Sequence, residues 1–223
     1  MTLYRKSLAD PFSAWKNTKV GRTIDYTRVM TLFFNFRNPL LSERDVRQAI
    51  ALAMPYEELA EFGEPANSPL APTSWAYNPD LKQTLEDLPT AKNTLKKFTE
   101  EATASAKLNF ETFYDYLTTA NLVDNNLKGT GLDTTVTLGN IGESADFDIL
   151  LAFWQIPRDP DQYFFWHSTQ TQSNILSYKN VRVDKLLEDG RSTLSVSTRR
   201  NFYLQFQKTI ADDLPAIFLY YPY

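Results

Sequence analysis

Short apolar runs alternate along this chain with longer stretches whose apolar positions recur every three or four residues, the signature of strands interleaved with amphipathic helices. RVMTLFFNF, Arg28 to Phe36, reads as a buried strand closed by an Asn38-Pro39 turn signal. In the helix that follows, Ser42 is the expected cap, Glu43 and Asp45 suit the positive N-terminal end, and Val46, Ala49, Ile50 and Ala53 recur on one face. Pro55 stops or restarts that helix. From Gly63 to Pro89 the prolines at 65, 69, 72, 79 and 89 break every period and predict a long irregular connection, pinned to the body by Trp75 and Tyr77.

Thr90 to about Thr99 is spaced as a helix, and Lys107 to Phe113 alternates as a strand. Tyr116 to Lys128 is helical up to a Gly129 stop, and strands follow at Thr134 to Leu138 and Asp148 to Trp154. The tail holds two helices, Val181 to about Arg191 and Ser195 to Asp213, with Asp212-Asp213 as a solvated terminus; Pro215 then leads into a final strand ending in Tyr220-Tyr221. Strand and helix alternate throughout, so residues 1–223 read as one α/β domain, expected to fold as a monomer.

Composition narrows the function. Hydrophobic residues make up 43% of the 223 and charged residues 22%, the balance of a folded globular chain. The longest apolar runs are strand-length, so no membrane-spanning helix is expected. MTLYRKSLADPF lacks the apolar stretch and cleavage site of a secretory signal, so any such signal has been removed or was never present. A net charge of −4 offers no general attraction to nucleic acid or anionic lipid. Without cysteine there is no disulfide, thiolate zinc site or cysteine nucleophile. Gly129-Thr-Gly131 has neither Rossmann nor P-loop spacing, and the carboxylates form no EF-hand loop, so no cofactor or metal is expected.

The densest chemistry is FWQIPRDPDQYFFWH, Phe153 to His167, where a strand ends in an indole, a guanidinium and two carboxylates. Ligands of α/β sheets bind at such strand ends. Trp154 can stack on a flat ligand, Arg158 can fork onto a carboxylate or phosphate, and Asp159 or Asp161 can receive a cation. The same residues also suit a purely structural part, with Asp159-Pro160-Asp161 capping a helix from Gln162 and Trp154 in the core. His167, the only histidine, is adjacent to Ser168, and neighbouring side chains point apart, which disfavours a triad with Asp161. Asp159 and Asp161 are too close in sequence to flank a glycosidic bond from opposite sides.

In order along the chain, LFFNFRNPLLSERDVRQAIALAM (Leu32 to Met54), ANSPLAPTSWAYNPDL (Ala66 to Leu81), KNTLKKF, FDILLAFW with DPDQYF, SNILSYKNVRVDKLLEDGR (Ser173 to Arg191) and RRNFYLQFQKTIADDLPAIFLYY (Arg199 to Tyr221) resemble the family 5 extracellular solute-binding proteins of ATP-binding-cassette importers. That group includes dipeptide, oligopeptide and nickel binders. The resemblance implies a type II periplasmic-binding-protein fold, whose two lobes close on a ligand. It identifies this chain with the second large lobe, a mixed sheet flanked by helices, with the first lobe and any export signal missing.

On the same resemblance, Trp154, Pro157, Arg158 and Asp159 line the ligand cleft and Ser173 and Asn174 join them. The implied ligand is a peptide or peptide-like solute, with a sugar or oligosaccharide as the alternative; the implied partners are the missing lobe and a membrane permease, and the implied location is extracytoplasmic. A hydrolase using Asp159, Asp161 or His167 is the competing class. Peptide-binding members usually carry an aspartate three residues after the tryptophan to hold the peptide's amino terminus; Pro157 stands there, which leaves open whether Asp159 takes that part. His167 does not fall where nickel binders place their histidine, so nickel is not supported.

Overall fold

The computed structural model describes residues 10–101, 107–139 and 147–223; the reading of the N-terminal residues 1–9 lies outside them. Six strands form one mixed sheet in the order β2-β6-β1-β5-β3-β4. They are β1 (Arg28–Phe34), β2 (Gly63–Pro65), β3 (Leu108–Thr112), β4 (Thr134–Leu138), β5 (Ile149–Gln155) and β6 (Ala216–Pro222). β1 pairs antiparallel with β5 and β6, whereas β3 runs parallel to both β4 and β5.

β1 is covered on both faces. Met30, Leu32 and Phe34 join one apolar cluster and Val29 and Phe33 the other, as the period of two requires of a central strand. The first cluster packs under α1 (Pro39–Ser42), α2 (Arg44–Leu52), α3 (Tyr56–Leu59), α4 (Leu88–Glu101) and α5 (Leu117–Gly129) through Leu41, Ile50, Leu59, Leu95 and Val123. The second packs under α6 (Tyr163–Trp166), α7 (Val181–Ser192), α8 (Val196–Asp213) and the proline-rich segment.

That segment is held by buried amides. Gln207 donates to Ala76 O (2.7 Å) and accepts from Ser68 Oγ (2.9 Å) and Asn78 N (3.0 Å), while Gln162 donates to Pro69 O (2.8 Å). Chain directions inside the sheet also matter. The segment ahead of β1 runs beside the end of β6, where Asp25 N donates to Pro222 O (2.7 Å).

Three expectations are corrected. Ser42 does not cap α2: its hydroxyl donates to Pro39 O (2.7 Å), and Asn38 caps the short α1 instead, accepting from Leu40 N. Gly63 to Pro65, expected to be irregular, forms the edge strand β2 against Tyr220 to Pro222. Asp213 is not a solvated terminus: it accepts from the Tyr178 hydroxyl (2.7 Å) and Asn180 Nδ2 (3.2 Å) and meets Arg47 (3.3 Å).

Candidate functional site

β5 delivers the site. Its alternation sends Leu150 and Trp154 into the second cluster, and the chain then turns out through Pro157 and Arg158 before α6 begins. Trp154 is only 7% exposed and sits among aromatic rings: Phe164 stacks on it at 5.8 Å and 18°, and Phe165 lies at 4.5 Å and 46°. Phe164 itself is 47% exposed, so it forms the outer surface of this aromatic platform.

The two indoles of the cluster differ. Trp166 Nε1 donates to Gln162 Oε1 at 2.7 Å, whereas Trp154 Nε1 is the one buried side-chain nitrogen or oxygen among the described residues without a partner. Burying an unpaired N–H costs about 1–3 kcal/mol, and such exceptions call for an explanation.

Beyond the platform, the two carboxylates of the turn are tied to the helical layer. Arg199 grips Asp159 with two bonds (2.9 and 2.6 Å), and Arg191 Nε meets Asp161 Oδ2 at 3.0 Å. The Arg199 bonds, helped by the Asp161 N–H, hold the Asp159 carboxyl below its ordinary value against the opposing effect of burial. Arg199 is itself fixed by Gly190 O (2.8 Å), the Tyr203 hydroxyl (3.1 Å) and the ring of Trp75 (5.6 Å to its centre). Asp159 also accepts from Asp161 N (3.0 Å), and Asp161 from Tyr163 N (3.0 Å), so both carboxylates order the start of α6.

The remaining expected residues lie behind the platform. Ser173 Oγ donates to Phe164 O, which links it to the ring stacked on Trp154. Asn174 is buried and spends its amide on the turn before α7, donating to Tyr178 O (2.7 Å) and accepting from Tyr178 N (3.2 Å). Arg158 is exposed, with no hydrogen bond or ion pair among the described residues, and Pro157 is half-buried.

The residues considered for hydrolysis do not assemble. Ser168 Oγ donates to Asp184 Oδ2 (2.5 Å), and not to His167. His167 accepts from Thr169 N at Nδ1 (3.2 Å), stacks on Tyr163 (4.1 Å) and turns Nε2 toward Glu188 (3.4 Å), as a packing histidine does. Phe164, Arg191 and Arg199 had no marker in the sequence. YFFW has no periodic sign of which ring faces out, and the arginines meet the turn only through tertiary packing.

Comparison with known proteins matches this chain to a family. The family described as "Bacterial extracellular solute-binding proteins, family 5 Middle" matches residues 5–175. The oligopeptide-binding protein AppA of Bacillus subtilis (strain 168) is 29% identical over 234 residues, covering 85% of this chain and 40% of AppA. The probable D,D-dipeptide-binding periplasmic protein DdpA of Escherichia coli (strain K12) is 25% identical over 230 residues, 95% of this chain and 44% of DdpA. The solved structure of Bacillus subtilis AppA in complex with a nonapeptide superimposes with a TM-score of 0.83 at 25% identity, over 97% of this chain and 49% of that one. This chain thus spans less than half the length of these relatives, and its mixed six-stranded sheet flanked by helices is the fold of type II periplasmic binding proteins. With the family matched over well over half of its length and the fold over nearly all of it, the chain belongs to the family 5 bacterial extracellular solute-binding proteins.

Proposed function

We propose that this chain is one ligand-binding lobe of an extracytoplasmic receptor serving an ATP-binding-cassette importer, and that its solute is a peptide or peptide-like molecule. The observation that carries the reading is the aromatic platform of Trp154 and Phe164 at the end of β5, in a fold whose relative AppA was solved with a nonapeptide. The platform supplies apolar surface for the solute, and Arg158 supplies a charge beside it. Pro157 restricts the turn between them, while Asp159, Ser173 and Asn174 position it through the bonds described above. A single lobe covers one side of a ligand, so the remainder of the receptor provides the opposing wall and a permease receives the solute. Nothing is turned over in this reading.

Calorimetry on the receptor carrying this chain, against short peptides and simple sugars, tests it. A peptide is expected to bind, to be recovered intact by mass spectrometry, and to bind at least about tenfold more weakly after Trp154→Ala. Sugar binding without peptide binding, or hydrolysis of the bound peptide, would overturn it.

A further inference from the structure

We infer that the solute meets the turn after β5 with a carboxylate and not with an ammonium group, an inference that rests on the peptide reading above. The turn leaves donors unmatched, while each of its carboxylates already faces a guanidinium. Both oxygens of Asp159 are taken by Arg199, and Asp161 is shared between Arg191 and the Tyr163 N–H. Each carboxylate is therefore matched by a guanidinium from the helical layer, and Arg158 is left over as an exposed cation without a partner among the described residues. Four residues before it, the Trp154 N–H is a second donor without an acceptor, in a cluster where the Trp166 N–H has one.

A carboxylate answers Arg158, because it only accepts and a guanidinium binds it with two parallel bonds, and the unmatched Trp154 N–H favours a solute group that brings acceptors rather than donors. An ammonium brings three more donors to a place that already has too many. At Asp159 it would meet a carboxylate whose charge is already balanced by Arg199, which Gly190, Tyr203 and Trp75 hold independently. Pro157 has no acceptor in its side chain.

The experiment is calorimetry on the receptor carrying this chain, with one binding peptide in four forms: amino end free or acetylated, carboxyl end free or amidated. Amidation is expected to weaken binding at least about tenfold and acetylation by less than about threefold, and Arg158→Ala should abolish the amidation penalty. Asp159→Asn should leave the pattern across the four forms unchanged. Loss of about tenfold on acetylation, or indifference to both ends, overturns the inference while leaving the peptide reading intact. So does an amidation penalty that survives in Arg158→Ala, since the carboxylate is then held elsewhere. If no form of any peptide binds, the peptide reading falls and this inference with it.

Discussion

Arg47 closes the C-terminal end of α8 by donating to the carbonyl of Leu214, the residue that ends the helix in the left-handed region at φ 52° (Nε to O, 2.9 Å). The same guanidinium reaches Asp213 O (2.6 Å), Leu41 O (2.9 Å) and Ser42 O (2.8 Å), and is only 1% exposed. It satisfies orphan carbonyls from two helices at once. Arg47→Ala is therefore expected to cost about 2–4 kcal/mol, because it strands those oxygens and leaves a void. Urea denaturation should show a lower midpoint at an unchanged slope, with Arg47→Lys recovering part of the loss. A midpoint equal to that of the parent would mean the carbonyls find other donors.

Asp159 gives the chain a pH dependence whose sign follows from its partner. Arg199 lowers the carboxyl's pKa in the folded chain, so the pair contributes stability that is fully present above the unfolded value of about 3.9 and lost as pH falls through the lower folded value. The pair is half-exposed and worth no more than about 1 kcal/mol. Thermal melts of the parent and Asp159→Asn should differ at pH 6 and converge as the pH falls below the ordinary carboxylate value and through the lower folded one. The difference between the two proteins is the quantity to read, since Asp25 and Asp87 are also lowered and remain in both. A gap that stays constant with pH would show that the carboxylate charge is not the source.

Gly63 lies so close to β6 that a Cβ there would stand 2.0 Å from Tyr221 O and 2.7 Å from its carbonyl carbon. Backbone cannot give way as a flexible side chain does, so Gly63→Ala should push β2 off the sheet edge at a cost of about 1–3 kcal/mol. Amide exchange should accelerate at Glu64 and Ala66 while β1 stays protected. Unchanged protection at both would contradict this placement of the edge strand.

Phe164 shields Trp154, and Phe164→Ala removes an aromatic pair worth about 0.5–1.5 kcal/mol while opening the indole to water. Acrylamide should quench the Trp154 emission more strongly in the variant, isolated by subtracting the signal of the matching Trp154→Phe proteins. Equal quenching would show that Phe165 alone covers the ring.

Where burial repeats with a period, the sequence was readable. β1, β5 and the helices α2, α7 and α8 fall within a residue or two of their apolar patterns. A period fails where the chain slips. Leu219 and Tyr220 both belong to the first cluster because the β1 and β6 ladders shift between Met30 and Thr31, a bulge that alternation alone would not reveal. β2 is three residues long and contains a proline, too short for any period. Asp213 looked solvated because Tyr178, Asn180 and Arg47 are distant in sequence, and the Asp159 to Arg199 pair was hidden for the same reason. Side-chain pairing between separated elements is set by tertiary packing, which local spacing does not encode.

The placement of Asp25 against Pro222 has a mechanical consequence. β1 and β6 are antiparallel neighbours, and the segment ahead of the one and the end of the other occupy the same end of the sheet. Tension applied through these two points would load their shared ladder from that end, parting its bonds in sequence from Tyr220 toward Ala216 rather than shearing them together. Against pulling at that end, this part of the sheet resists as a zipper and yields at low force, although both strands are buried along nearly their whole length.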